Sequence, residues 1–132
     1  MTRAVRAPSE RSEMKYMLMM FAGVGEQLPT RSPEWLRGMG ELMTTLDAEM
    51  REAGELVAGH GLMDPSHAVT VRLADGVPVA TDGPFAEIKE SLAGYWVIDA
   101  SLERVTEIAA RCVGYVEYPM EIRPVMHETA AP

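Results

Sequence analysis

Two runs, YMLMMFA at residues 16–22 and AGYWVI at residues 93–98, are apolar at nearly every position. A strand wetted on one face alternates apolar and polar side chains, so runs like these read as strands covered on both faces, with the first of them central in its sheet. The segments around them supply the partners. After a loop containing Gly23, Gly25 and Pro29, Ser32-Pro33-Glu34 gives an N-cap, a proline at the first helical position and an early acid. Trp35, Met39, Leu42, Met43, Leu46 and Met50 then follow the helical period, and Gly54 stands where a left-handed cap belongs. Glu55–His60 reads as a short strand running into the turn-rich GLMDPSH.

VTVRL and VPVAT flank Asp75-Gly76, the dipeptide favoured in a two-residue type I′ hairpin. Counting outward from that turn pairs Leu73 with Pro78, Val71 with Ala80 and Thr70 with Thr81, and brings Asp82 near Val69. Pro78 donates no ladder bond, which fits a strand that has an edge there or turns its nitrogen outward. Beyond AGYWVI, Ser101 caps a second helix. Its buried side is expected to carry Leu102, Val105, Ile108, Ala109 and Cys112, with Gly114 after its end. Met120–Met126 closes the chain as a strand in which Glu121 and Arg123 alternate with Met120 and Ile122.

The order is β-α-β, an inserted β-hairpin, then β-α-β: an α+β, ferredoxin-like split βαβ arrangement. Right-handed crossovers put both helices on one face of the sheet. Strands apolar on both sides would then leave a greasy opposite face, which a monomer tolerates poorly. The expectation is a two-fold homodimer with its sheets facing each other, a dimeric α/β-barrel.

Composition bounds the rest. The chain has 132 residues, 47% of them apolar and 24% charged, as expected of one globular domain with one core. Residues 1–13 have no apolar period and read as a disordered tail, residues 14–127 as the domain and 128–132 as a frayed end. Met14 is a plausible alternative start. The net charge is −8; three arginines against two glutamates give the tail +1 and leave the remainder at −9. An acidic body without a basic stripe argues against nucleic acid as a partner. No run reaches the roughly 18–20 apolar residues of a membrane span, and the opening lacks the apolar stretch of a secretory signal. With one cysteine, Cys112, there is no internal disulfide, in keeping with a cytoplasmic location.

The segment DGPFAEIKESLAGYWVIDA, preceded by ELVAGHGL and VRLADG and followed by MEIRPVM, resembles the DGPF-containing branch of the YCII-related family over about residues 14–126. Its most specific string is Asp82-Gly83-Pro84-Phe85-Ala86-Glu87 with Lys89 two positions on. The resemblance implies the same dimeric α/β-barrel and a link to regulation by sigma factors, near whose genes such proteins are often encoded. It also makes Asp82, Glu87 and Lys89 the motif positions to line a site. Other family members carry a histidine near the start of the first helix, paired with an aspartate. Trp35 occupies that region here, so that assignment does not carry over.

Each of these residues also has a plain reading. Asp82 suits a turn, where its carboxylate bonds backbone groups ahead of it, or a pocket, where it acts as a general base or ligand anchor. Glu87 and Lys89 share a face if the segment is extended, as a surface ion pair or as ligand-binding groups, Lys89 holding an anion. His60 ends a strand that feeds the same loop region, as a solvated loop residue or a proton-transfer group. No metal site is indicated: there is no HxH, HExxH or paired-cysteine spacing. The absence of GxGxxG, Walker-type and GxSxG strings gives no sign of a nucleotide cofactor or a nucleophilic serine. The eleven methionines read as core filling. Two functions stand: a small-molecule-binding or regulatory accessory protein, and a cofactor-independent lyase or isomerase moving a proton with Asp82 and His60.

Overall fold

The computed structural model describes residues 14–23, 31–84 and 90–126. In chain order these form β1 (Tyr16–Gly23), α1 (Pro33–Glu52), β2 (Leu56–Gly61), β3 (Val69–Ala74), β4 (Val77–Asp82), β5 (Glu90–Ile98), α2 (Leu102–Val116) and β6 (Met120–Pro124). The main sheet is antiparallel with strand order β2-β5-β1-β6, so the two strands with unbroken apolar runs are its central pair. Strands β3 and β4 form a separate two-stranded ribbon. The chain is thus α+β and ferredoxin-like, with an inserted hairpin. No helix among the described residues is long and apolar enough to cross a membrane.

Both helices lie on one face. Leu46 and Met50 of α1 and Val105, Ile108 and Cys112 of α2 are fully buried with Leu18 and Ile98 of the sheet. The caps follow the expectation: Ser32 accepts from the Trp35 amide at 3.0 Å, Ser101 from the Arg104 amide at 3.1 Å, and Gly54 is left-handed at φ 70°. Asp75 and Gly76 both have positive φ, and the hairpin register is the one counted from the turn, Val69 opposite Asp82 included.

Two details of α2 differ from the sequence expectation. The helix continues past Gly114 to Val116 and is ended by Glu117 in a left-handed conformation. The added turn buries Val116 and lets the Tyr115 hydroxyl donate to the Trp35 carbonyl at 2.8 Å, which ties the end of α2 to the start of α1. Leu102, expected on the buried side, is half exposed in the first turn. Strand ends also move by one or two residues: β2 is shifted to 56–61, and β6 stops at Pro124, which supplies no amide for the ladder.

The sheet face away from the helices carries Met17, Met19, Tyr95 and Val97. Met19 is nearly buried at 7% exposure, because Tyr95 and Glu121 flank it from the neighbouring strands. Its apolar neighbours are half-buried. Among the described residues, the most water-exposed β-branched and leucine side chains lie instead on the ribbon, where Val71 is 62% and Leu73 73% exposed.

Polar contacts join α2 to the rest of the body. Glu55, fully buried between α1 and β2, accepts from Arg104 Nε at 3.1 Å and Nη2 at 3.2 Å. Arg111 donates to both oxygens of Glu49 at 2.9 and 2.8 Å. Arg104→Met would strand a buried carboxylate and is expected to lower unfolding free energy by about 3–5 kcal/mol. Arg111→Met breaks an exposed pair and should lose no more than about 1 kcal/mol; urea unfolding of both variants checks the contrast. The hydrogen bond from Arg111 is the chief cause holding the Glu49 carboxyl below its ordinary value of 4.5, opposed by partial burial and helped by the charges of Arg111 and Arg104. A carboxyl depressed in the folded state stabilises above its unfolded value and loses that contribution as pH falls through the folded one. The stability gap between wild type and Arg111→Met is therefore expected at pH 7 and to close below pH 4.5.

Candidate functional site

The register stacks the helix-facing residues of the four main strands in rows. One row reads Leu56, Ile98, Tyr16 and Pro124; the next reads Gly59, Trp96, Leu18 and Ile122; the last reads Gly61, Gly94, Met20 and Met120. The first is filled by large side chains. In the last, two adjacent strands present only glycine, and the space beneath α1 stays open as a cavity of about 590 Å3. A Cβ added at Gly61 would meet nothing within 4 Å. Volumes of this order hold small-molecule ligands.

Across the glycine floor, α1 contributes Met39, Met43, Thr44 and Asp47, spaced so that one helical face looks onto the sheet. Trp96 forms an inner wall. The Cδ1–Nε1 edge of its indole lies over Gly59, 2.2 and 3.0 Å from where a Cβ would stand, so glycine there is a steric requirement of the tryptophan's position. Trp96 is 8% exposed, and no acceptor among the described residues pairs with its Nε1. The rest of the lining is mostly apolar, with Met20 and Met120 on the far side. Asp47 accepts from Arg51 Nε at 2.6 Å, and its side chain is 35% exposed.

His60 borders the cavity through its strand. As the cross-strand partner of Tyr95, one residue out of phase with Gly59 and Trp96, it carries its ring on the opposite face, edge-on to Tyr95 at 5.9 Å. Asp82 lies at the end of β4, exposed and paired with Val69, outside the residues that line the cavity. Beside it Gly83 takes φ 102°, donates to the Ala68 carbonyl at 2.7 Å and accepts from the Thr70 hydroxyl at 2.7 Å, so the turn around Asp82 closes the base of the ribbon. Glu87 and Lys89 lie outside the described residues. The structure thus brings neither Asp82 nor the ring of His60 into the cavity, and gathers there Gly59, Gly61, Gly94 and Asp47, which the reading of motifs passed over. The signal for the glycines is present in the sequence: Gly59 and Gly61 are two apart in a strand, where glycine often marks close approach of a ligand or backbone.

The YCII-related domain profile matches residues 14–128. The chain belongs to the YCII-related domain family. An uncharacterised protein of Rhizobium meliloti (strain 1021) is 40% identical to it over 72 residues, which are 52% of this chain and 58% of that protein. The shared stretch therefore spans little more than half of either chain.

Elsewhere in the YCII-related domain, Cys112 is fully buried, and burial pushes its thiol up to about 11. It is a packing residue and not a nucleophile. A thiol-reactive dye at pH 8 should leave the folded protein unlabelled and react in denaturant. For the floor, Gly59→Ala forces Trp96 aside and is expected to destabilise by about 1–3 kcal/mol with a shift in tryptophan emission. Gly61→Ala points into open space and should change stability by less than about 1 kcal/mol. Chemical unfolding monitored by fluorescence compares the two.

Proposed function

We propose that this protein binds a small, largely apolar molecule between α1 and the glycine floor of its sheet, and serves as a ligand-binding or regulatory accessory protein. The observation that carries this reading is the cross-strand pair Gly61 and Gly94, which leaves two neighbouring strands without side chains at the same level of the helix–sheet layer. An unfilled space of this size weakens packing, and a bound molecule would restore the missing contacts. The DGPF branch and its association with sigma-factor regulation belong to the same reading, on the Asp82-Gly83-Pro84-Phe85 string alone. A cytoplasmic location goes with it, supported by the lone buried cysteine.

The protein acts, in this proposal, as a homodimer. Support comes from the apolar sheet face of Met17, Tyr95 and Val97 and from the exposed ribbon residues Val69, Val71 and Leu73, none of them covered by a helix. Sharing such surfaces between two copies would gain about 25 cal/mol per Å2 of apolar area buried, set against the cost of association. Static light scattering at micromolar concentration should return twice the mass of the 132-residue chain; a monomer would remove the dimer.

Thermal-shift screening of small aromatic and alicyclic compounds tests the binding site. Hits should raise the melting temperature of wild type and fail to raise that of Gly61→Leu, whose side chain would obstruct the cavity. Stabilisation that survives Gly61→Leu would place the ligand elsewhere. Conversion of a hit to product, lost in Asp82→Asn, would make the protein a lyase or isomerase instead.

A further inference from the structure

The chemistry of the cavity walls narrows what they can hold. Met20, Met39, Met43 and Met120 line it, all of them half-buried. Methionine is flexible and polarisable, and its sulfur packs favourably against aromatic ring edges. The floor opposite is bare backbone at Gly61 and Gly94, which has no side chains to interlock with a branched or globular ligand and suits a flat one. Trp96 closes the inner end with an aromatic surface and an indole N–H that has no acceptor among the described residues.

Among the described residues, the one carboxylate on the wall is that of Asp47. Arg51 takes its Oδ2 at 2.6 Å from a side chain that is 68% exposed, and Oδ1 has no partner among the described residues. Thr44, one turn earlier on α1, adds a hydroxyl beside it. A ligand carboxylate placed here would meet a like charge inside a chain of net charge −8. An ammonium or other N–H donor would meet an open acceptor.

We infer that the cavity is selective for a planar aromatic amine, its rings lying between the α1 methionines and the glycine floor and its nitrogen directed to Asp47 Oδ1. This rests on the cavity being the binding site, and it adds the ligand's shape and charge.

The probes are 1-naphthylmethylamine, 1-naphthoic acid and decahydro-1-naphthylmethylamine, a fused-ring cyclohexyl amine of the same carbon skeleton, which separate charge from planarity. Binding is read from Trp96 emission in a Trp35→Phe background, where Trp96 is the sole tryptophan. The naphthyl amine should bind more tightly than naphthoate by up to about fivefold, the preference a part-exposed carboxylate supplies. It should also bind more tightly than the decahydronaphthyl amine. Asp47→Asn should erase the preference over naphthoate while leaving the preference over the decahydronaphthyl ring. Gly61→Leu should abolish binding of all three, and Gly61→Ala, checked for folding by circular dichroism, should weaken it.

Equal or tighter binding of naphthoate, or a preference unchanged in Asp47→Asn, would overturn the amine selectivity. Equal binding of the decahydronaphthyl amine would overturn the planar one. In either case, continued sensitivity to Gly61→Leu leaves the cavity standing as a binding site. Binding indifferent to both Gly61 substitutions, or no binding of any probe, would overturn the cavity reading and this inference with it.

Discussion

The alignment of β2, β5 and β1 governs everything built on this sheet. Because side chains alternate with a strict period of two, one register decides which residues meet beneath the helices, and a slip by one residue would turn them all to the other side. As it stands, large residues fall together at one end of the helix–sheet layer and glycines at the other. Core and cavity are therefore two ends of the same interface, separated by Trp96, whose indole belongs to both.

The full end is held by more than apolar contact. Glu55 is buried where α1 hands over to β2, and Arg104 reaches it from the first turn of α2. Its carbonyl also accepts from the Asp99 amide at 2.7 Å, at the end of β5. One residue thus fixes the ends of two helices and two strands relative to each other. Such a pair adds little net stability compared with an apolar substitute, but it penalises arrangements that leave either charge unpaired. At the opposite corner, Arg31 lies 4.4 Å above the Trp35 ring, and Trp35 packs 5.4 Å from Tyr115, closing the gap between the helices.

Much of this architecture was readable in the residues. Ser32-Pro33, Asp75-Gly76 and Ser101 each carry a local physical instruction, and the unbroken apolar runs of β1 and β5 identified the central strands. What escaped local reading depends on distant partners. Nothing near Gly114 indicates that α2 will continue, since the reason lies in Val116 reaching the core and Tyr115 reaching Trp35, eighty positions away in sequence. The cavity escaped for the same reason. Gly61 and Gly94 look like isolated glycines until pairing sets them side by side. Motif reading drew attention to Asp82 because its string is distinctive, but distinctiveness there has an adequate explanation in turn chemistry, with Gly83 bonded across the ribbon base to Ala68 and Thr70.

The β3–β4 ribbon packs chiefly on itself, joined to the body at its base. Energetic effects of substitutions at separated sites add almost independently. Replacement of exposed residues such as Val71 and Leu73 should consequently carry little penalty to the folding of the four-stranded body. The chain is in that sense modular: a four-stranded body carries an arm whose outward side chains bear little on the body's own stability.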